Sequence, residues 1–570
     1  MASLNSAAAA NADSRDAYSF DKTFRAAALP ETREPLSAQQ VERWVWILIG
    51  IGIAARAVRY LLRFPLWEDE CFVAVSLMDR GYAELMRPLE YHQVAPLLFL
   101  WVQKTFITWF GFNEYSLRLL AFGSGIASLF LFRHIARRLT SGISLVLATA
   151  IFAVAYPGIR YAAEAKPYGS DLLVGLVLTA LTVEWLRRPE QSRWLWILAA
   201  FAPFAVGLSY PAAFVGGSAS LLIAWVLLKA PSRGGWTGWI AFNLTLVGGF
   251  VGFYWLTGAS QSAAEHSFMA EFWRDALPPL TQPWKLIPWF FNVHAGAVLG
   301  YPIGGANGAS AATFGLVAVA VFRLWRDGRR AWLAFCLLPL ALNFVAAAVQ
   351  RYPYGGHVKF VHYTAATICL LAGYGLAVAL DWGARHKASC YAGLRTATVV
   401  LACIAFGTML RDFWRPCKTL SDMRHRDFAR CLWFNLSFEG ETACVTTDLK
   451  QVFSQPALQE LNWTAMYLCN QRIYSPRHQR GEAIDLAKVT AEHPLRCVLF
   501  KTALCPHDDA AQARWVAEMR ERYNLASHDV LPFPYFNKNE RDLGVMDHVE
   551  IYKFTPKSST ATAAGTMLLR

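Results

Sequence analysis

Apolar runs long enough to cross a lipid bilayer recur through the first 410 residues, and they constrain the fold of this chain more than any other feature. A hydrocarbon core of about 30 Å takes about 20 helical residues. Stretches such as Gly142 to Gly158 and Leu172 to Val183 carry no charged side chain. Eleven apolar runs lie near 44–62, 117–132, 143–160, 170–186, 194–210, 211–228, 237–257, 311–324, 331–349, 361–380 and 395–410. Charged residues make up 17% of the 570 and hydrophobic ones 55%, against about 25% charged in soluble domains. That balance excludes a soluble enzyme, a disordered chain, and a collagen-like or disulfide-knot scaffold. The net charge of +13 is gathered in clusters between the apolar runs, which is a topology signal and not a nucleic-acid-binding face.

Those clusters are Arg133, Arg137 and Arg138; Arg187, Arg188 and Arg193; Lys229 and Arg233; Arg323, Arg326, Arg329 and Arg330; and Arg385, Lys387 and Arg395. All fall on the cytoplasmic side of one consistent alternation, provided that 95–112 does not cross the membrane. Gln103, Lys104 and Thr108 sit in the middle of that segment, with Lys104 and Thr108 on one helical face. An amphipathic helix at the interface fits, the alternative being a span with a buried Lys. The expectation is an all-α polytopic membrane protein of about eleven transmembrane helices plus juxtamembrane helices. Residues 1–43 read as a disordered cytoplasmic tail, and 44–410 as the transmembrane domain with external loops 63–116, 160–170, 258–310 and 350–360.

Residues 411–570 differ in composition and read as a small α/β extracytoplasmic domain. ACVTTD, RCVLFKT and VEIYKF have strand character, and DDAAQARWVAEMRERY has that of an amphipathic helix. Cys417, Cys431, Cys444, Cys469, Cys497 and Cys505 fall here without zinc-ligand spacing. Disulfides in an oxidising compartment and buried free thiols are both open readings.

The first external loop opens Phe64-Pro65-Leu66-Trp67-Glu68-Asp69-Glu70, directly after the first span. Three adjacent carboxylates at a membrane surface are solvated, paired or used. A solvated loop anchored by Trp67 is the plainer reading. Downstream come Tyr91-His92-Gln93-Val94-Ala95-Pro96-Leu97-Leu98, then Glu114-Tyr115-Ser116-Leu117-Arg118, Arg137-Arg138-Leu139, and Arg160-Tyr161-Ala162-Ala163-Glu164-Ala165-Lys166-Pro167-Tyr168. This order of motifs resembles the GT-C superfamily of membrane glycosyltransferases. The nearest branch is the family-39-like one containing protein O-mannosyltransferases and the lipid A aminoarabinose transferases. The resemblance covers 44–190 best and continues more weakly through Phe272-Trp273 to Pro279 and through Tyr352-Pro353-Tyr354-Gly355-Gly356-His357-Val358-Lys359. The region after 411 matches no family.

The resemblance implies a GT-C fold, Asp69 as catalytic carboxylate and Glu70 as the second residue of the pair. A lipid-phosphate-linked sugar already carries a good leaving group, so a base must activate the acceptor while cations hold the departing phosphate. Arg160, Lys166, His357 and Lys359 are candidates for the cationic role, with His92, Glu164 and Tyr168 as further substrate-binding candidates. The phosphate-binding Lys of relatives is missing at Val94-Ala95-Pro96, and Lys104 is the nearest substitute. Lys166 and His357 stand where relatives often have Arg. No cofactor is certain. A divalent metal on His92 and Glu164 stays open beside an interfacial His and a helix-capping Glu. Trp284, Trp289, Phe290 and Phe291 either line a lipid-entry groove or form an aromatic belt.

The expected activity is transfer of a sugar from a polyprenyl-phosphate donor to a lipid, polysaccharide or protein acceptor on the extracytoplasmic face, with inversion. The expected partners include membrane lipids and no nucleic acid. A flippase or transporter of a lipid-linked glycan is the rival, but the acids sit at span ends and no internal repeat is evident. A scaffold whose exported domain does the work would carry a ligand motif after 411, and none is found. The C-terminal Met567-Leu568-Leu569-Arg570 is no retention signal, which points to a bacterial inner membrane with the N-terminus cytoplasmic.

Overall fold

The computed structural model describes residues 36–91, 93–258, 273–304, 309–414, 441–445, 465, 468–470, 472–474, 488–501, 509–533 and 547–557. Calls on the 1–35 tail, His92, Phe272, Cys417, Cys431 and Cys505 lie outside them, as does the side chain of Cys444. The helices run in chain order: α1 (Ala38–Leu61), α2 (Glu68–Asp79), α3 (Leu97–Phe110), α4 (Glu114–Leu139), α5 (Gly142–Ala153), α6 (Tyr156–Tyr161), α7 (Tyr168–Arg187), α8 (Arg193–Leu208) and α9 (Ala212–Lys229). They continue as α10 (Arg233–Phe253), α11 (Leu286–Val293), α12 (Ala309–Arg326), α13 (Arg330–Ala348), α14 (Ala365–His386), α15 (Ala388–Trp414) and α16 (Asp509–Arg522). The strands are β1 (Glu441–Val445), β2 (Leu495–Lys501), β3 (Tyr523–Phe533) and β4 (Asp547–Pro556).

All eleven apolar runs are helical. Eight helices among the described residues are long and apolar enough to cross a membrane, and α3, α5 and α8 are shorter apolar helices. At 14 residues, α3 is about 21 Å long, short of a hydrocarbon core. Gln103 within it is fully buried, its amide donating to the Leu117 carbonyl at 2.7 Å. The run 143–160 is a broken helix. It stops at Ala153 and restarts at Tyr156, and such a break is tolerated only where neighbours satisfy the freed backbone groups. The Tyr156 amide donates to the Pro302 carbonyl at 2.6 Å, and the Arg56 guanidinium donates to the carbonyls of Ala153 and Gly52, each at 3.0 Å.

The chain divides into two units, one made of Met1–Arg63, Gly81–Thr105 and Leu117–Trp414. Its core is continuous from Val41 to Tyr374. Glycine sets the closest crossings: a Cβ on Gly375 would meet the Leu316 carbonyl of α12 at 1.9 Å, and one on Gly373 the Ala148 amide of α5 at 2.4 Å. Small residues allow such backbone approach where lipid gives no hydrophobic drive to association. The Arg133–Arg138 cluster is paired at one end of this bundle. Glu42 pairs with Arg133 at 2.7 Å and Arg137 at 3.0 Å, while Glu184 on α7 engages His134 at 2.8 Å and also Arg138. The 20-residue α7 then places its N-terminal Tyr168 at the far end, about 30 Å being the length of such a helix.

The other unit comprises Phe64–Arg80, Phe106–Ser116 and Arg415–Arg570. Its four-stranded sheet has the order β1-β2-β4-β3, with β1 and β2 parallel and the other pairs antiparallel. Leu495, Cys497 and Leu499 of β2 and Tyr552 and Phe554 of β4 pack against Met519 and Trp515 of α16. The edge strand β3 escapes sequence reading because its NLASHD segment is polar and Pro532 interrupts it, as edge positions permit. Cys469 and Cys497 are free, buried thiols, so of the two open readings the free-thiol one holds for both, Cys497 packing in the apolar core of the sheet.

Candidate functional site

Each unit brings a distinct set of groups. In the unit containing the C-terminal region, the acidic run becomes the first turn of α2, with Glu68, Asp69 and Glu70 as its first three residues. The first turn of a helix is the positive end of its dipole and leaves backbone amides unsatisfied. Glu70 is buried, and its Oε2 accepts from the Trp67 amide at 3.1 Å, closing the turn that follows the first span. Glu70 thus fixes the helix start, beside a partly exposed Asp69.

In the membrane unit, four segments remote in sequence meet. Lys166 is buried, and its ammonium donates to Gln93 Oε1 at 2.5 Å. The amide oxygen orients the ammonium. Lys359 lies among three rings, its Nζ 5.1 Å from the centroid of Trp273, 5.6 Å from Phe360 and 5.9 Å from Tyr168. Ring quadrupoles attract a cation there. Segments 273–276 and 354–355 are joined by backbone, the amides of Tyr354 and Gly355 both donating to the Ala276 carbonyl at 3.1 and 3.2 Å. His294 supports them, its Nδ1–H on the Phe290 carbonyl at 2.8 Å and its Nε2 accepting from the Tyr354 hydroxyl at 2.9 Å. Burial holds the His294 imidazole below its usual range and the Tyr354 phenol above its own, so the pair is neutral.

The remaining candidates are placed less simply. Arg160, near the end of α6, pairs with the buried Glu164 of the following turn at 2.6 Å, so part of its charge serves that turn. His357 is exposed and caps the turn Val358–Thr364, Nδ1 accepting from the Lys359 amide at 3.2 Å, with the Tyr161 hydroxyl 3.4 Å away. Lys104 lies on α3, part-buried. Among the described residues no three His, Cys, Asp or Glu side chains gather as a metal site. His92 lies outside the described residues, and no step is assigned to a metal. Trp284, Phe290 and Phe291 are exposed, while Trp289 is part-buried and donates to the Asp275 carbonyl at 3.1 Å.

Sequence reading missed Gln93 as the partner of Lys166, Tyr161 beside His357, and the buried Arg56. Gln93 lay inside a quoted motif, and Arg56 carried a signal, an Arg within an apolar span. Tyr161 had none.

No family model matches this sequence, and no curated protein matches it. Solved structures with a similar backbone include ArnT from Cupriavidus metallidurans in the apo state, at 14% identity and TM-score 0.46 over 90% of this chain and 98% of that one. ArnT bound to undecaprenyl phosphate is similar at 12% identity and TM-score 0.47, over 89% and 98%. The oligosaccharyltransferase AglB from Archaeoglobus fulgidus, with an inhibitory peptide and a dolichol-phosphate, is similar at 13% identity and TM-score 0.40, over 71% of this chain and 62% of that one. ArnT is a lipid A aminoarabinose transferase, of the branch that the motif order resembles.

Proposed function

We propose that this chain is an integral-membrane glycosyltransferase that moves a sugar from a polyprenyl-phosphate donor to an acceptor on the extracytoplasmic face. The observation that carries the reading is the cluster around Lys359: two lysines, one bound to the Gln93 amide oxygen and one set among aromatic rings, at the end of α7 opposite the Arg133–Arg138 cluster. Such a site suits a phosphate beside the bilayer surface. Asp69 takes the proton of the acceptor hydroxyl or amine. That atom attacks the anomeric carbon, and the carbon–oxygen bond to phosphate breaks with its electron pair leaving on the polyprenyl phosphate. One displacement inverts the configuration. Lys166 and Lys359 meet charge that grows on the phosphate as it departs, and so favour the transition state over the bound donor.

The same reading places residues 1–43 in the cytoplasm, 411–570 outside, and the chain in a bacterial inner membrane. A radiolabelled polyprenyl-phosphate sugar incubated with membranes tests it, with glycolipid, polysaccharide and protein fractions counted separately. Label should enter one fraction, and Asp69→Asn should lower that transfer by about 10²- to 10⁴-fold. Movement of the intact donor across vesicles with no new glycosidic bond would favour the flippase.

A further inference from the structure

We infer that the C-terminal segment containing Cys469 and Tyr474 is part of the frame of the catalytic helix, and that both are positioning residues for Asp69. The inference rests on the transferase reading above. Every residue of α2 from Cys71 to Leu77 is buried, including Ser76. Seven consecutive residues cover all faces of a helix, so α2 is held from every side and its orientation is set by what packs around it. One of those holds comes from far along the chain, from a segment that is itself tied to the start of α4.

The Cys469 thiol donates to the backbone carbonyl of Cys71 at 3.7 Å, two residues past Asp69. The Cys71 thiol in turn reaches the Leu66 carbonyl at 3.8 Å, ahead of the helix. The Tyr474 hydroxyl donates to Glu114, a buried carboxylate that opens α4. That start is itself rigid: Asn113 Oδ1 accepts from the amides of Tyr115 and Ser116, each at 3.0 Å, and the Ser116 hydroxyl donates to the Gly111 carbonyl at 2.5 Å. Ala465, Cys469, Asn470 and Ile473 are all buried. A region otherwise unlike the membrane unit thus supplies two fixed points, one on the helix bearing Asp69 and one on the segment entering the next span. A base shifted by about 1 Å loses much of its rate, so these contacts bear on turnover and not on donor binding.

The test uses full-length chain in membranes, with Tyr474→Phe, Cys469→Ala and Cys469→Ser measured beside Asp69→Asn. Turnover, donor binding, the pH dependence of turnover and the thermal midpoint are read for each. Tyr474→Phe and Cys469→Ala should lose turnover by about 10- to 100-fold with donor affinity and thermal midpoint unchanged, and Cys469→Ser, which keeps a donor, should recover most of it. Wild-type turnover in both deletions overturns the inference, as does a loss that follows donor affinity and thermal midpoint together, since that is a folding defect. If Asp69→Asn is itself fully active, the assignment of this carboxylate fails. If Asp69→Asn is inactive and the deletions are fully active, only the present inference fails.

Discussion

At the scale of single residues, neighbouring charges in this chain have unlike tasks because their surroundings differ. Glu70 is spent on the Trp67 amide, whereas Asp69, one position earlier, is partly exposed. Lys166 and Lys359 differ similarly, one against an amide and the other against rings. Lys359→Met keeps the stem between Trp273, Phe360 and Tyr168 and removes only the charge. Turnover should fall about 10-fold or more, the scale on which a stabilising donor acts in a dry site, with donor affinity changed less. Single-turnover rates against donor titrations check this. In the Lys166→Met/Lys359→Met double variant the losses should be less than additive, because groups on one ligand couple. Full additivity would mean that the two lysines serve separate ligands.

At the scale of elements, length and close approach decide what a helix can do. Since α3 falls short of a bilayer and Thr108 on it is exposed, a cysteine at Thr108 should react with an impermeant thiol reagent from outside. One at the exposed Glu190, in the basic turn after α7, should react only after permeabilisation. Labelling counted against the parent chain checks both, and protection of Thr108→Cys from outside would put α3 across the membrane. The crossing at Gly375 gives a second expectation. An added Cβ would lie 1.9 Å from the Leu316 carbonyl, so α12 and α14 must part. Gly375→Ala should cost about 1–3 kcal/mol, the range for overpacking a core, and appear as a lowered thermal midpoint in detergent.

At the scale of the whole molecule, the membrane bundle and the C-terminal sheet respond to different variables. The sheet buries Cys497 and packs Tyr552 beside Glu550, whose carboxylate accepts from the Tyr552 hydroxyl at 2.6 Å and from Gln512 and His528, each at 2.8 Å. Burial first, and for Tyr552 the bond to Glu550 next, push both groups up to about 12. A folded pKa raised above the unfolded value stabilises fully below the unfolded value and is lost as pH rises through the folded one. The sheet should therefore weaken from about pH 9 to pH 12. Hydrogen exchange at β2 and β4 in the full chain should quicken over that window. Tyr552→Phe should flatten the response above about pH 10, the ordinary phenol value.

The membrane architecture was legible in the sequence because lipid imposes one rule on every span: apolar side chains outside and backbone bonds made within the helix. Hence the apolar runs and the separate C-terminal composition could be read directly. Motif order likewise pointed to 91–98, 160–168 and 352–359, the segments that contribute Gln93, Lys166, Tyr168 and Lys359. The tertiary structure alone decided where the 143–160 run breaks, that Arg56 satisfies the break, that β3 closes the sheet, and that Cys469 and Cys497 are free. It also decided that α2 is held by a segment some 400 residues later in the chain, Cys469 and Cys71 being 398 apart. These outcomes depend on which side chains meet, and a local pattern reports only which environment each side chain prefers.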